Sequence, residues 1–129
     1  ALSVLAERGF NTAGVVLRDN SGLSTEDRIA PKLLDAILAD AATKPELRPI
    51  FSTLPVAAGD GTLEDRYGDL PGRGWVRAKT GTLDGTASLA GTVTSVNGNI
   101  YTFALICNDA DVLDARRAMD EFTSALRQF

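Results

Sequence analysis

The sequence predicts an α+β fold: a three-strand antiparallel meander over residues 75–107, covered by a C-terminal helix. Three observations predict it. Runs rich in Val, Thr, Leu, Phe and Tyr occupy 75–81, 86–95 and 100–107. The last two are joined through Asn97-Gly98, a hairpin signal because both residues tolerate positive φ. Residues 111–127 then set Val112, Ala115, Met119, Phe122, Ala125 and Leu126 at helical spacing, the apolar side of a helix packed on the sheet.

The elements before the meander are read in order. Residues 2–8 form the end of a helix stopped by Gly9, and Ala13 to Arg18 form a short strand. Asp19-Asn20-Ser21-Gly22 has turn composition. Pro31 opens a helix over 31–42 with Leu33, Leu34, Ile37 and Leu38 on one face, and a shorter helix covers 46–53. Residues 55–74, rich in Gly, Pro and Asp, read as an irregular loop. No repeat or linker divides the 129 residues, so residues 1–129 belong to a single domain.

Composition narrows the chemistry. The chain is 44% hydrophobic and 23% charged with a formal charge of −4. That balance suits a globular protein, and without a Lys/Arg run nucleic acid is excluded as a partner. No apolar run is long enough to span a bilayer, and Ala1 to Phe10 lacks the basic start and apolar core of a signal peptide. His is absent, which removes a Ser-His-Asp triad, and the single Cys107 between apolar neighbours reads as a buried, inert thiol. No metal site and no organic cofactor is implied.

The stretch that carries chemistry is Lys79-Thr80-Gly81-Thr82, at the end of the first strand of the meander. By alternation Lys79 and Gly81 face one side and Thr80 and Thr82 the other. A lysine at a rigid edge supplies fixed positive charge, two hydroxyls supply donors for an anion, and glycine admits a second backbone alongside. A backbone N–H at the same edge can meet a developing oxyanion. The set suits a peptide-like ligand with a free carboxylate. The bland alternative is a solvated edge lysine before a turn.

The wider pattern resembles the D-alanyl-D-alanine carboxypeptidase/endopeptidases of the class C low-molecular-mass penicillin-binding proteins, the DacB-like family. Four blocks carry the resemblance in order: DNSGLS at 19–24 with RIAP at 28–31, LPVAAGDGTLEDR at 54–66, VRAKTGTLDG at 76–85, and ASLAGTV with YTFALICN. The resemblance implies part of a penicillin-binding/β-lactamase-like (serine transpeptidase-like) domain. It implies Lys79 as a catalytic charge, Thr80 and Thr82 as binders of the terminal carboxylate, and Gly81 as the bare point beside the substrate backbone. The Thr82 backbone N–H would be half of an oxyanion hole.

The family's acyl-accepting serine, in S-x-x-K, and its S-x-N box lie upstream of SGLS. Neither S-x-x-K nor a preceding S-x-N occurs here; Ser95-Val96-Asn97 is turn chemistry. The chain is therefore expected to be the C-terminal portion of such a domain, silent alone and completed by the N-terminal part of the same protein. Implied partners are the D-Ala-D-Ala end of peptidoglycan stem peptides and β-lactam antibiotics, at an extracytoplasmic location. The family's basic residue after SGLS is replaced by Thr25, which points to a neutral stem residue. Rival readings are a class A β-lactamase-like or esterase-like relative and a non-catalytic wall-binding module.

Ser21 and Ser24 have no activating base nearby in sequence and read as turn residues. Asp60-Gly61-Thr62, which could line a site, reads as a turn with an Asp cap, and the pairs Glu64-Asp65 and Asp109/Asp111 read as solvated loops rather than acid/base pairs or metal ligands. Arg77, on the Lys79 face, reads as an exposed edge residue or a modulator of the lysine's charge.

Overall fold

The computed structural model describes residues 1–129, and its frame is one antiparallel sheet in the order β1-β2-β3: β1 (Val76–Leu83), β2 (Thr86–Thr94) and β3 (Ile100–Asn108). Two helices pack on it, α2 (Pro31–Thr43) and α4 (Val112–Arg127), and a short helix, α1 (Leu2–Glu7), begins the chain. Two short ones complete the chain, α3 (Pro49–Ser52) and a 3-10 turn (Gly61–Leu63). The expected α+β meander and its closing helix are both present.

Register follows from the two turns. Lys79 pairs with Ala90 and Gly91 with Phe103, so all three strands run as an uninterrupted meander. The connection between β2 and β3 differs in kind from the expected two-residue turn. Gly98 alone has positive φ (81°), its N–H donates to Ser95 O at 3.0 Å, and Ser95 N–H donates to Asn99 O at 2.8 Å. That is a three-residue loop with glycine in the left-handed position.

Alternation divides the sheet. Val76, Ala78, Ala87, Leu89, Val93 and Phe103 are buried on the face that meets Ala115 and Met119 of α4 and Ala57, Leu63 and Tyr67 of the preceding loop. The opposite face receives α2, whose Leu33 and Ala41 are buried.

Several expectations shift. Ala13 to Arg18 is not a strand: only Val16 bridges, to Arg28, because no other segment lines up beside it. The helix expected at 46–53 shrinks to one turn from Pro49. Phe122 and Ala125 face solvent, whereas Asp120, Thr123 and Ser124 are buried on α4. Cys107 is half-buried and packs against the core.

No helix is long and apolar enough to cross a membrane. The accessible surface is 7836 Å². A compact monomer of 13.6 kDa exposes roughly 6,600 Å², so the chain carries about a fifth more surface than its mass requires. Two regions stand out. No residue from 1 to 30 is buried, and β3 presents a free edge of nine uncharged residues.

Candidate active site

The free edge of β1 is only half open. Ala57 N–H donates to Val76 O at 2.9 Å and Ala78 N–H donates to Pro55 O at 3.0 Å, so segment 55–57 covers the first half of the strand. On the other side Thr94 N–H donates to Trp75 O. Backbone groups therefore alternate: even-numbered residues of β1 point outward and odd-numbered ones toward β2. Beyond Ala78 the covering segment departs. The outward N–H groups of Thr80 and Thr82 then lie on an open edge.

The side chains there are held from two directions. Lys79 is exposed, and its Nζ folds onto the Thr80 carbonyl at 2.7 Å. Thr80 Oγ1 donates to Thr62 Oγ1 at 3.0 Å, which ties the strand to the 3-10 turn. Thr82 Oγ1 accepts from Arg116 Nη2 of α4 at 2.9 Å. A Cβ at Gly81 would fall 2.3 Å from Ser88 Oγ, its cross-strand neighbour. Glycine here relieves crowding inside the sheet, a reason separate from any ligand.

These residues line a cleft of about 990 Å³ whose far wall is Ser21, Gly22 and Leu23. Arg66 and Asp120 close on one another there through two hydrogen bonds, one from Nε at 3.2 Å, with only 12% and 9% of their side chains exposed. Arg117 reaches Asp114 at 3.5 Å. Lys79 and Arg116 have no carboxylate partner, and Asp65 has no cation. The cleft is net positive.

Three ties hold the loop that forms its floor onto α4, and they explain the buried polar face of that helix. Arg66 pairs with Asp120, the Tyr67 hydroxyl shares a 2.9 Å hydrogen bond with Thr123, and Gly72 N–H donates to Ser124 Oγ at 3.1 Å. Burial pushes the Tyr67 phenol well above its usual range.

The structure brings Lys79, Thr80, Gly81 and Thr82 to one edge. Ser21 lines the same cleft but is spent locally: its hydroxyl donates to Asp19 Oδ1 at 3.0 Å and accepts from Leu23 N–H. Asp19 takes two backbone N–H groups as well, which lower its pKa. Ser24 Oγ accepts from Glu26 N–H, and Ser95 Oγ accepts from Asn99 N–H in the hairpin loop. Asp60 does not cap the 3-10 turn that follows it; its carboxylate accepts from the upstream Val56 N–H at 2.6 Å, and Asp111 caps α4. Arg77 is exposed at the bridge to Val56. Thr62, read as part of a turn, lies at the edge, whereas Arg116 is not marked by the sequence at all. Each reaches β1 from a distant element, and no local pattern marks Arg116.

The chain is 46% identical over 98% of its length to carboxypeptidase DacB of Mycolicibacterium smegmatis, and spans 28% of that protein. It is 34% identical over 81% of its length to a D-alanyl-D-alanine carboxypeptidase of an Actinomadura strain, of which it spans 20%. The fold superposes with a TM-score of 0.86 on penicillin-binding protein 4 (dacB) of Haemophilus influenzae, solved in complex with a β-lactam; identity is 28% over 99% of this chain and 32% of that one. Residues 2–126 match the D-Ala-D-Ala carboxypeptidase 3 (S13) family, and the chain belongs to that family.

Proposed function

We propose that residues 1–129 are the C-terminal portion of a transpeptidase-like domain in a serine-type D-Ala-D-Ala carboxypeptidase/endopeptidase. The whole protein acts outside the cytoplasm on peptidoglycan stem peptides and is acylated by β-lactams. The observation that carries the reading is the half-covered edge of β1. It opens at Thr80, with two outward N–H groups, two hydroxyls and an unpaired ammonium along one peptide length.

In this reading the peptide lies antiparallel along the open edge. The Thr82 hydroxyl donates to its terminal carboxylate, and the Thr80 hydroxyl joins it by exchanging its bond to Thr62 for one to the ligand. A serine supplied by the upstream part attacks the carbonyl of the penultimate residue, and the Thr82 N–H stabilises the oxygen as it gains charge. Gly81 keeps the strand free of a side chain beside the ligand backbone. Lys79 contributes the fixed positive charge that draws the carboxylate and favours proton transfer near it. The proton that the serine gives up passes through a base in the upstream part to the amine of the leaving D-Ala, and water then hydrolyses the serine ester.

The surplus surface supports the division of the domain. No residue of 1–30 is fully buried within this chain, and an uncharged edge strand as long as β3 normally pairs or is covered. The upstream part of the same protein is the occupant we assign to both. The test is the full-length gene product incubated with a D-Ala-D-Ala peptide and, separately, with benzylpenicillin. Released D-Ala and a one-to-one penicilloyl adduct are expected; a folded protein that yields neither is a non-catalytic module and contradicts the reading.

A further inference from the structure

We infer that Arg116 makes this edge selective for a free carboxylate, by setting the Thr82 hydroxyl as a donor and by adding a second cation. The inference rests on the acyl-transfer reading above, because it concerns the carboxylate end of the same ligand. A guanidinium has five donors and no acceptor. In the 2.9 Å contact Thr82 Oγ1 is therefore the acceptor, and its own proton is left to donate elsewhere. Thr82 is exposed and lines the cleft, so that donor is available to a ligand. Thr80 differs: its hydroxyl already donates to Thr62. The two threonines are not equivalent, and Thr82 is the one prepared for an anion.

Charge points the same way. Arg66 is neutralised by Asp120, and Arg117 is paired with Asp114, whereas Arg116 has no carboxylate partner. Its place is fixed from below, since the Arg116 carbonyl accepts from Arg66 Nη2 at 3.2 Å. Arg116 approaches β1 on the α4 face and Lys79 leaves it on the other. The open edge is thus flanked by a cation on each side. The planar fork matches a carboxylate in a way that the ammonium of Lys79 does not.

The test compares acylation of the full-length protein by benzylpenicillin and by its methyl ester, which lacks the carboxylate charge. The expected result is that Arg116→Gln lowers the second-order rate with the acid by about tenfold or more and leaves the ester within about twofold, so the preference collapses. Arg116→Lys should restore part of the acid rate. Thr82→Val should cost more with the acid than Thr80→Val. Arg73→Gln, an exposed arginine outside the cleft, serves as the control with unchanged rates, and thermal melts verify that each variant folds. Parallel losses with acid and ester, or an intact preference in Arg116→Gln, would overturn the assignment. A parent that reacts equally with both compounds would overturn it too. A parent acylated by neither sinks the acyl-transfer reading itself, a result distinct from all of these.

Discussion

The phenol of Tyr67 and the hydroxyl of Thr123 lie 2.9 Å apart in the interior, joining the loop beneath the cleft to α4. Thr123 also donates to the Met119 carbonyl at 2.9 Å, so it accepts from Tyr67 and the phenol stays protonated. Burial raises the folded phenol far above the 10.0 of an unburied tyrosine. Asp120 adds to the rise and Arg66 opposes it. Below about pH 10 the phenol is neutral in both folded and unfolded chains, and its contribution is fully present. Above that the unfolded chain releases the proton first. Stability should fall there by up to about 1.4 kcal/mol per pH unit. Tyr67→Phe should cost about 1 kcal/mol near neutrality and flatten this alkaline decline. Denaturant melts of both proteins at several pH values check it; equal alkaline slopes would count against the assignment to Tyr67.

Lys79→Ala in the full-length protein should lower acylation by penicillin by about a hundredfold or more. Its melting temperature should hardly move, because the side chain is exposed and its only hydrogen bond is to the adjacent carbonyl. Stopped-flow acylation beside a thermal melt separates the outcomes. An unfolded variant marks Lys79 as structural, and a parent-like rate marks it as idle.

Two glycines of the sheet should behave differently. A Cβ at Gly91 would meet the Arg77 carbonyl oxygen at 2.0 Å and Ala78 Cα at 2.6 Å, backbone atoms that cannot turn aside. Gly91→Ala should lower the melting temperature by about 10 °C or more, or prevent folding. At Gly81 the obstacle is a rotatable hydroxyl. Gly81→Ala should be milder in stability and largely relieved by Ser88→Ala, a coupling that a double-mutant cycle measures.

The isolated chain should associate with itself, because β3 leaves nine uncharged residues at an open edge. Sedimentation at increasing concentration checks this. A chain that stays monomeric and well folded would show that the edge needs no cover.

Local signals made the meander legible. Alternation, the Asn97-Gly98 turn and the helical period of 111–127 depend on neighbours within a few residues, and they place Lys79 through Thr82 on an edge. What was not legible depends on distant partners. Asp120, Thr123 and Ser124 look like a solvated stripe until residues 66–72 arrive to bond them. The same long-range docking turns Phe122 outward and brings Arg116 onto Thr82. Residues 13–18 have strand composition without a strand beside them, and a single bridge is all that forms. Thr62 sits in a turn pattern, and only the approach of β1 gives its hydroxyl a role.

The central claim is that this chain supplies the receiving edge of a site whose nucleophile lies in the upstream part of the same protein. The most direct measurement is intact mass and peptide mapping after a β-lactam is added to the full-length protein and to residues 1–129 alone. One adduct is expected on the full-length protein, on a serine preceding Ala1, and none on the isolated chain. An adduct on Ser21, Ser24 or any other serine within these 129 residues would contradict it and move the reacting centre into this chain.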